Sequence, residues 1–74
     1  MRRIRQVITR LGNGISYEVW VDEISGDDAS KVGNATKCVW HQFVAFGRNK
    51  ASRAGGPAFQ QAAREQERIA KTYA

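Results

Sequence analysis

Four arginines at the start of the chain have the clearest chemical bearing. Arg2, Arg3, Arg5 and Arg10 fall within the first eleven residues, which contain no acid. In an extended stretch Arg3 and Arg5 point to one face, roughly 6.6 Å apart along the strand. That spacing suits neighbouring phosphates or base edges, and a guanidinium presents a planar fork of donors to either. Trp20, from a second strand, is expected to share the face, where its ring could pack on sugar or methyl groups. A solvated strand end whose charges protect a sheet edge accounts for the same residues without any ligand.

A second basic group, Lys37, Arg48, Lys50 and Arg53, lies in residues 37–56, again without an acid. Its last three members precede Gly55-Gly56-Pro57, which leads into a predicted helix. A helix N-terminus offers unpaired N–H groups, and glycines let an anion approach the backbone, so this connector reads as a phosphate clamp or as a solvated loop. Neither GxxxxGK[ST] nor a GxGxxG after a strand is present, so it is not a nucleotide-binding loop of either kind.

Other reactive residues are few. The single cysteine, Cys38, excludes an intrachain disulfide and suggests a reducing, cytoplasmic compartment. Its plain reading is a small buried hydrophobe. His41 is the one histidine. On a regular strand the odd spacing sends Cys38 and His41 to opposite faces, so no shared metal is expected. Asp22-Glu23 and Asp27-Asp28 read as solvated turn residues rather than as an acid–base pair or a cation site. No nucleophile motif is present, so the chain is read as a binding protein without a cofactor, not an enzyme.

The elements that must position these residues follow from periodicity. Residues 3–11 alternate as a strand, as do residues 15–22, where Ile15, Tyr17, Val19 and Val21 share one face. Between them Gly12-Asn13-Gly14 signals a hairpin in which Asn-Gly supplies positive φ angles. Residues 38–46 are aromatic and β-branched and predict a third strand with two apolar faces, a buried helix being the rival. Regular alternation sets Cys38, Trp40, Gln42, Val44 and Phe46 against Val39, His41, Phe43 and Ala45. The polar stretch between, residues 23–37, is long for a structureless loop. Either it holds a short helical turn near residues 27–32 or the flanking strands extend into it. From Pro57, placed where helices favour proline, residues 58–73 follow helical spacing through Phe59, Ala62, Ala63, Gln66, Ile69, Ala70 and Tyr73. The predicted fold is α+β: one small domain over residues 1–74, in β-β-β-α order. Its antiparallel sheet carries one C-terminal amphipathic helix on one face.

Charge is segregated along the sequence. Residues 1–11 carry +4, residues 12–36 carry −4 and residues 37–56 carry +4, within a net +5. Two basic blocks flanking an acidic one predict separate positive and negative surfaces, a field that attracts polyanions. No apolar run is long enough to span a membrane. One helix covers only one sheet face, so Trp20, Val39 or Phe43 is expected to lie exposed, at a homodimer contact or a partner site.

Three antiparallel strands followed by a packed C-terminal helix resemble two DNA-binding families: the arm-type-binding domains of phage and transposon integrases, and the plant AP2-type domains. The resemblance implies that the sheet face away from the helix enters the major groove. A small basic stand-alone protein is also similar to accessory and inhibitor proteins of phages and plasmids, some of which block host defence complexes by occupying their nucleic-acid-binding surfaces. Nucleic-acid binding, DNA first, is thus the leading expectation. The alternative is an anti-defence or anti-CRISPR-like inhibitor that binds a host protein complex.

Overall fold

A computed structural model describes residues 2–23, 35–48 and 55–74. Three strands, β1 (Arg2–Leu11), β2 (Gly14–Glu23) and β3 (Ala35–Ala45), precede one helix, α1 (Pro57–Tyr73). The strands form one antiparallel sheet in the order β1-β2-β3, and the helix packs across it. This is the expected α+β arrangement. β2 reaches Glu23 and β3 begins at Ala35, so the flanking strands do extend into the polar segment. The expected turn near residues 27–32 lies outside the described residues.

The central strand supplies the floor of the core. Tyr17, Val19 and Val21 are buried under the helix, which contributes Phe59, Ala62 and Ala70. Alanines at two of these positions let the helix backbone settle close to the sheet, and Ile15, Trp40, Val44 and Phe46 close the sides. The rings of Phe46 and Phe59 lie 5.6 Å apart and tilted, a favourable aromatic arrangement. Tyr17 Oη donates to Phe59 O at 3.4 Å, and burial pushes its phenol pKa up.

Gln66 occupies the middle of the apolar stripe and is 1% exposed. Its Nε2 donates to Val7 O at 3.0 Å and to Glu18 O at 2.9 Å. A polar side chain is tolerated there because its amide is satisfied by backbone acceptors on two strands. The helix is thereby fixed over the β1–β2 ribbon by directional bonds as well as by packing.

Helix α1 starts as its sequence dictates. Pro57 sits in the first turn after Gly56, and Gly55 takes φ +83°, which only glycine adopts without strain. The carbonyl of Gly55 accepts from Gln60 Nε2 at 2.9 Å. Lys71 in the last turn favours the helix dipole, and it pairs with Glu67 one turn earlier at 3.3 Å. No helix among the described residues is long and apolar enough to cross a membrane.

Two local expectations are corrected. The hairpin is tight, but Leu11 pairs with Gly14, so the loop is Gly12-Asn13 and Gly14 belongs to β2. None of the three has positive φ. Gly14 is needed for a different reason: a Cβ there would stand 2.3 Å from Val44 O and 2.6 Å from Phe43 Cζ. Close approach of β3, not turn geometry, demands the glycine. The second correction concerns β3, where the register shifts so that Val19 faces Trp40 but Trp20 faces Cys38. Val39 is the extra residue of a β-bulge. It moves Cys38 from the face of Trp40 to that of Trp20, the face His41 also occupies opposite Glu18. Cys38 and His41 therefore share a face, contrary to regular alternation.

Candidate nucleic-acid interface

The two-residue loop sets the register of the whole β1–β2 ribbon. Arg3 lies opposite Asp22, Arg5 opposite Trp20 and Arg2 opposite Glu23. Side chains directly opposite in an antiparallel pair project to the same face. Arg3, Arg5, Trp20 and Asp22 thus meet on the face away from the helix.

Asp22 is the centre of this group and is 4% exposed. Its Oδ2 accepts from Arg5 Nε at 2.7 Å and from Arg3 Nε at 3.1 Å, while Oδ1 accepts from Arg5 Nη2 at 3.2 Å. The bonds from Arg5, helped by Thr36 and Arg3, lower the Asp22 pKa to about 2 against the opposing pull of burial. The same bond raises the Arg5 pKa. Arg5 Cζ also stands 5.8 Å from the Trp20 ring, within cation–π range. The side chains of Arg3 and Arg5 remain 61% and 42% exposed. Two guanidinium groups are therefore anchored at their inner edges and open at their outer ends.

This arrangement overturns two expectations. Asp22 and Glu23 are not solvated turn residues: they end β2, and Glu23 accepts from Arg2 Nε at 2.8 Å. Nor do the first basic block and the described members of the acidic block, Glu18, Asp22 and Glu23, form separate surfaces. Antiparallel pairing sets them side by side, and on the open face Arg3 and Arg5 are matched in number by Asp22 and Glu18.

The expected basic residues are not all brought together. Arg2 and Arg10 lie on the helix side, Arg2 Nη1 donating to Tyr73 O at 3.4 Å and Arg10 Cζ standing 5.4 Å from the Phe46 ring. Lys37 faces Val21, also on the helix side. Arg48 is exposed just beyond β3. Lys50 and Arg53, the rest of the expected phosphate clamp, lie outside the described residues.

The rest of the open face is mixed. His41 Nε2 lies 3.2 Å from Ser16 Oγ, and Cys38 Sγ donates to Trp40 O at 3.3 Å. Leu11 and Phe43, 44% and 40% exposed, lie toward the hairpin end. Among the described residues no group of three or more His, Cys, Asp or Glu is placed to hold a metal ion.

Sequence reasoning missed Asp22 as the organiser of the arginines. The signal was there: once the loop is placed at Gly12-Asn13, counting back along both strands sets Arg3 against Asp22. No protein-family model, curated protein or solved structure matches the chain significantly.

Proposed function

We propose that the chain is a non-enzymatic, cytoplasmic nucleic-acid-binding protein that meets duplex DNA with the open face of its sheet. The observation that carries this reading is the Arg3–Asp22–Arg5 cluster beside Trp20, with guanidinium ends directed away from the helix-covered core. A two-stranded ribbon fits the major groove, where arginine donors meet base edges. Arg48, exposed just beyond β3, is placed to meet phosphates, and Lys50 and Arg53 follow it in the sequence; phosphate contacts give most of the affinity in such complexes and make it salt-dependent. No cofactor enters this reading.

The test is duplex binding at several salt concentrations. Neutralising about four phosphates gives a slope of about −3.6 for log K against log salt. Replacing Arg3 and Arg5 by Glu should weaken binding at every salt. Failure of the unmodified protein to bind a mixed-sequence duplex pool at low salt would refute the reading.

The exposed Leu11 and Phe43 favour a second reading, in which this end of the open face binds protein: a second copy, or a host complex blocked by a phage- or plasmid-encoded inhibitor. Capture from a bacterial lysate with and without nuclease separates the two. A stoichiometric protein retained after nuclease supports the second, and sedimentation equilibrium decides whether the partner is another copy.

A further inference from the structure

The open-face arginines are both tied to one carboxylate, and this changes what they can recognise. A free guanidinium is drawn foremost to phosphate, by charge. One already paired with Asp22 has its charge offset locally, and an approaching phosphate meets the carboxylate's repulsion. Its outer N–H groups remain good donors to neutral acceptors. Arg5 commits Nε and one Nη2 hydrogen to Asp22, which leaves the Nη1/Nη2 end for a ligand. Arg3 commits Nε, and its Nη2 lies 3.1 Å from the same Oδ2. Each end presents two parallel donors, and the neutral major-groove partner that matches them is guanine, through O6 and N7.

Spacing narrows the target further. Residues two apart on a strand are separated by roughly 6.6 Å, close to two base-pair steps of about 3.4 Å each. Because both side chains converge on Asp22 Oδ2, their guanidinium groups stand closer together than a splayed pair would. The reach is therefore to two guanines on one strand, adjacent or separated by one base.

Resting on the nucleic-acid reading above, we infer that Arg3 and Arg5, held by Asp22, read a pair of closely spaced guanines from the major groove of duplex DNA. Asp22 is a positioning residue: it aims the donors and discourages phosphate from taking them.

The probes are two short duplexes of one sequence rich in guanine doublets, the second carrying 7-deazaguanine, which keeps Watson–Crick pairing but lacks the N7 acceptor. The protein should bind the guanine duplex about a hundredfold more tightly, each of the two bidentate pairs contributing about tenfold. Arg5→Lys keeps the charge but loses the fork. It should keep only the share of the preference that Arg3 carries, about tenfold, and Arg3→Lys combined with Arg5→Lys should bind both duplexes with nearly equal affinity. Asp22→Asn should lose the guanine preference while steepening the salt dependence, as two released charges turn to phosphate. Equal binding of both duplexes by the unmodified protein overturns guanine reading and leaves DNA binding standing. An undiminished preference in both Arg5→Lys and Arg3→Lys overturns the assignment of these residues. Binding of neither duplex at low salt overturns the underlying nucleic-acid reading itself.

Discussion

Replacing Gln66 with Glu exchanges one amide nitrogen for oxygen at almost constant shape, in a side chain that is 1% exposed. The lost nitrogen is the one that donates to Val7 O and Glu18 O at 3.0 and 2.9 Å. In its protonated form the introduced carboxyl can donate to one of those carbonyls, so at acid pH the variant loses one bond, about 1 kcal/mol. An ionised carboxylate, in a side chain 1% exposed, would face two carbonyl oxygens in place of the donor they now accept from. Burial and that contact raise its folded-state pKa above the unfolded value of about 4.3. The unfolded chain then releases its proton first, and the variant loses about 1.4 kcal/mol per pH unit relative to the parent above that value. With the folded-state pKa at or above 7, this adds about 4 kcal/mol by pH 7 and the gap reaches about 5 kcal/mol, against a total stability of roughly 4–11 kcal/mol for a chain of this length. Urea denaturation of both proteins at pH 4 and pH 7 measures the gap. Asp22, with its pKa of about 2, stays ionised at both. Gln66→Met is the control: it removes both bonds but adds no charge, so its deficit of about 1–3 kcal/mol should not change with pH. A Gln66→Glu deficit equal at the two pH values would show that the amide is not in dry contact with the sheet. The packing that sets the shape of the β1–β2 ribbon would then need another explanation.

Two further outcomes test the sheet. Gly14→Ala drives a methyl into Val44 O and Ala45 Cα, at 2.3 and 2.9 Å, and should lower stability by about 1–3 kcal/mol. Gly12→Ala has nothing within 4 Å and should be neutral or slightly stabilising; equal denaturation midpoints would refute the close approach. The Asp22 pKa is lowered from 3.8 to about 2, so its contribution is complete above the unfolded value and is lost as pH falls through the folded one. Acid unfolding followed by tryptophan fluorescence should show a loss between pH 4 and pH 2 that Asp22→Asn lacks; superimposable profiles would refute the clamp.

What could be read from the sequence follows a physical divide. Strand alternation in residues 3–11 and 15–22 and the helical stripe from Phe59 to Tyr73 are local patterns imposed by burial, and they located β1, β2 and α1 within a residue, while β3 was read from its aromatic and β-branched composition. The bulge at Val39 was not legible, because residues 38–46 are apolar on both faces and so place no penalty on a shift. Gln66 fell on the buried stripe by spacing, yet the carbonyls that satisfy it belong to residues 48 and 59 positions away. Of the candidate site, Arg3, Arg5 and Trp20 were found because alternation along two paired strands sets them on one sheet face. The remaining basic residues were grouped by sequence proximity, which antiparallel pairing does not preserve: Arg2 and Arg10 emerge on the other side.

One carboxylate serving two arginines has an evolutionary consequence. Losing Asp22 would leave two like charges abutting; losing both arginines would strand a buried anion in the sheet. Neither change is neutral, so the three positions form one heritable unit. Among relatives of this chain, Arg3, Arg5 and Asp22 are expected to be retained together or replaced together. A lineage that drops the acid first would carry a compensating change on β1.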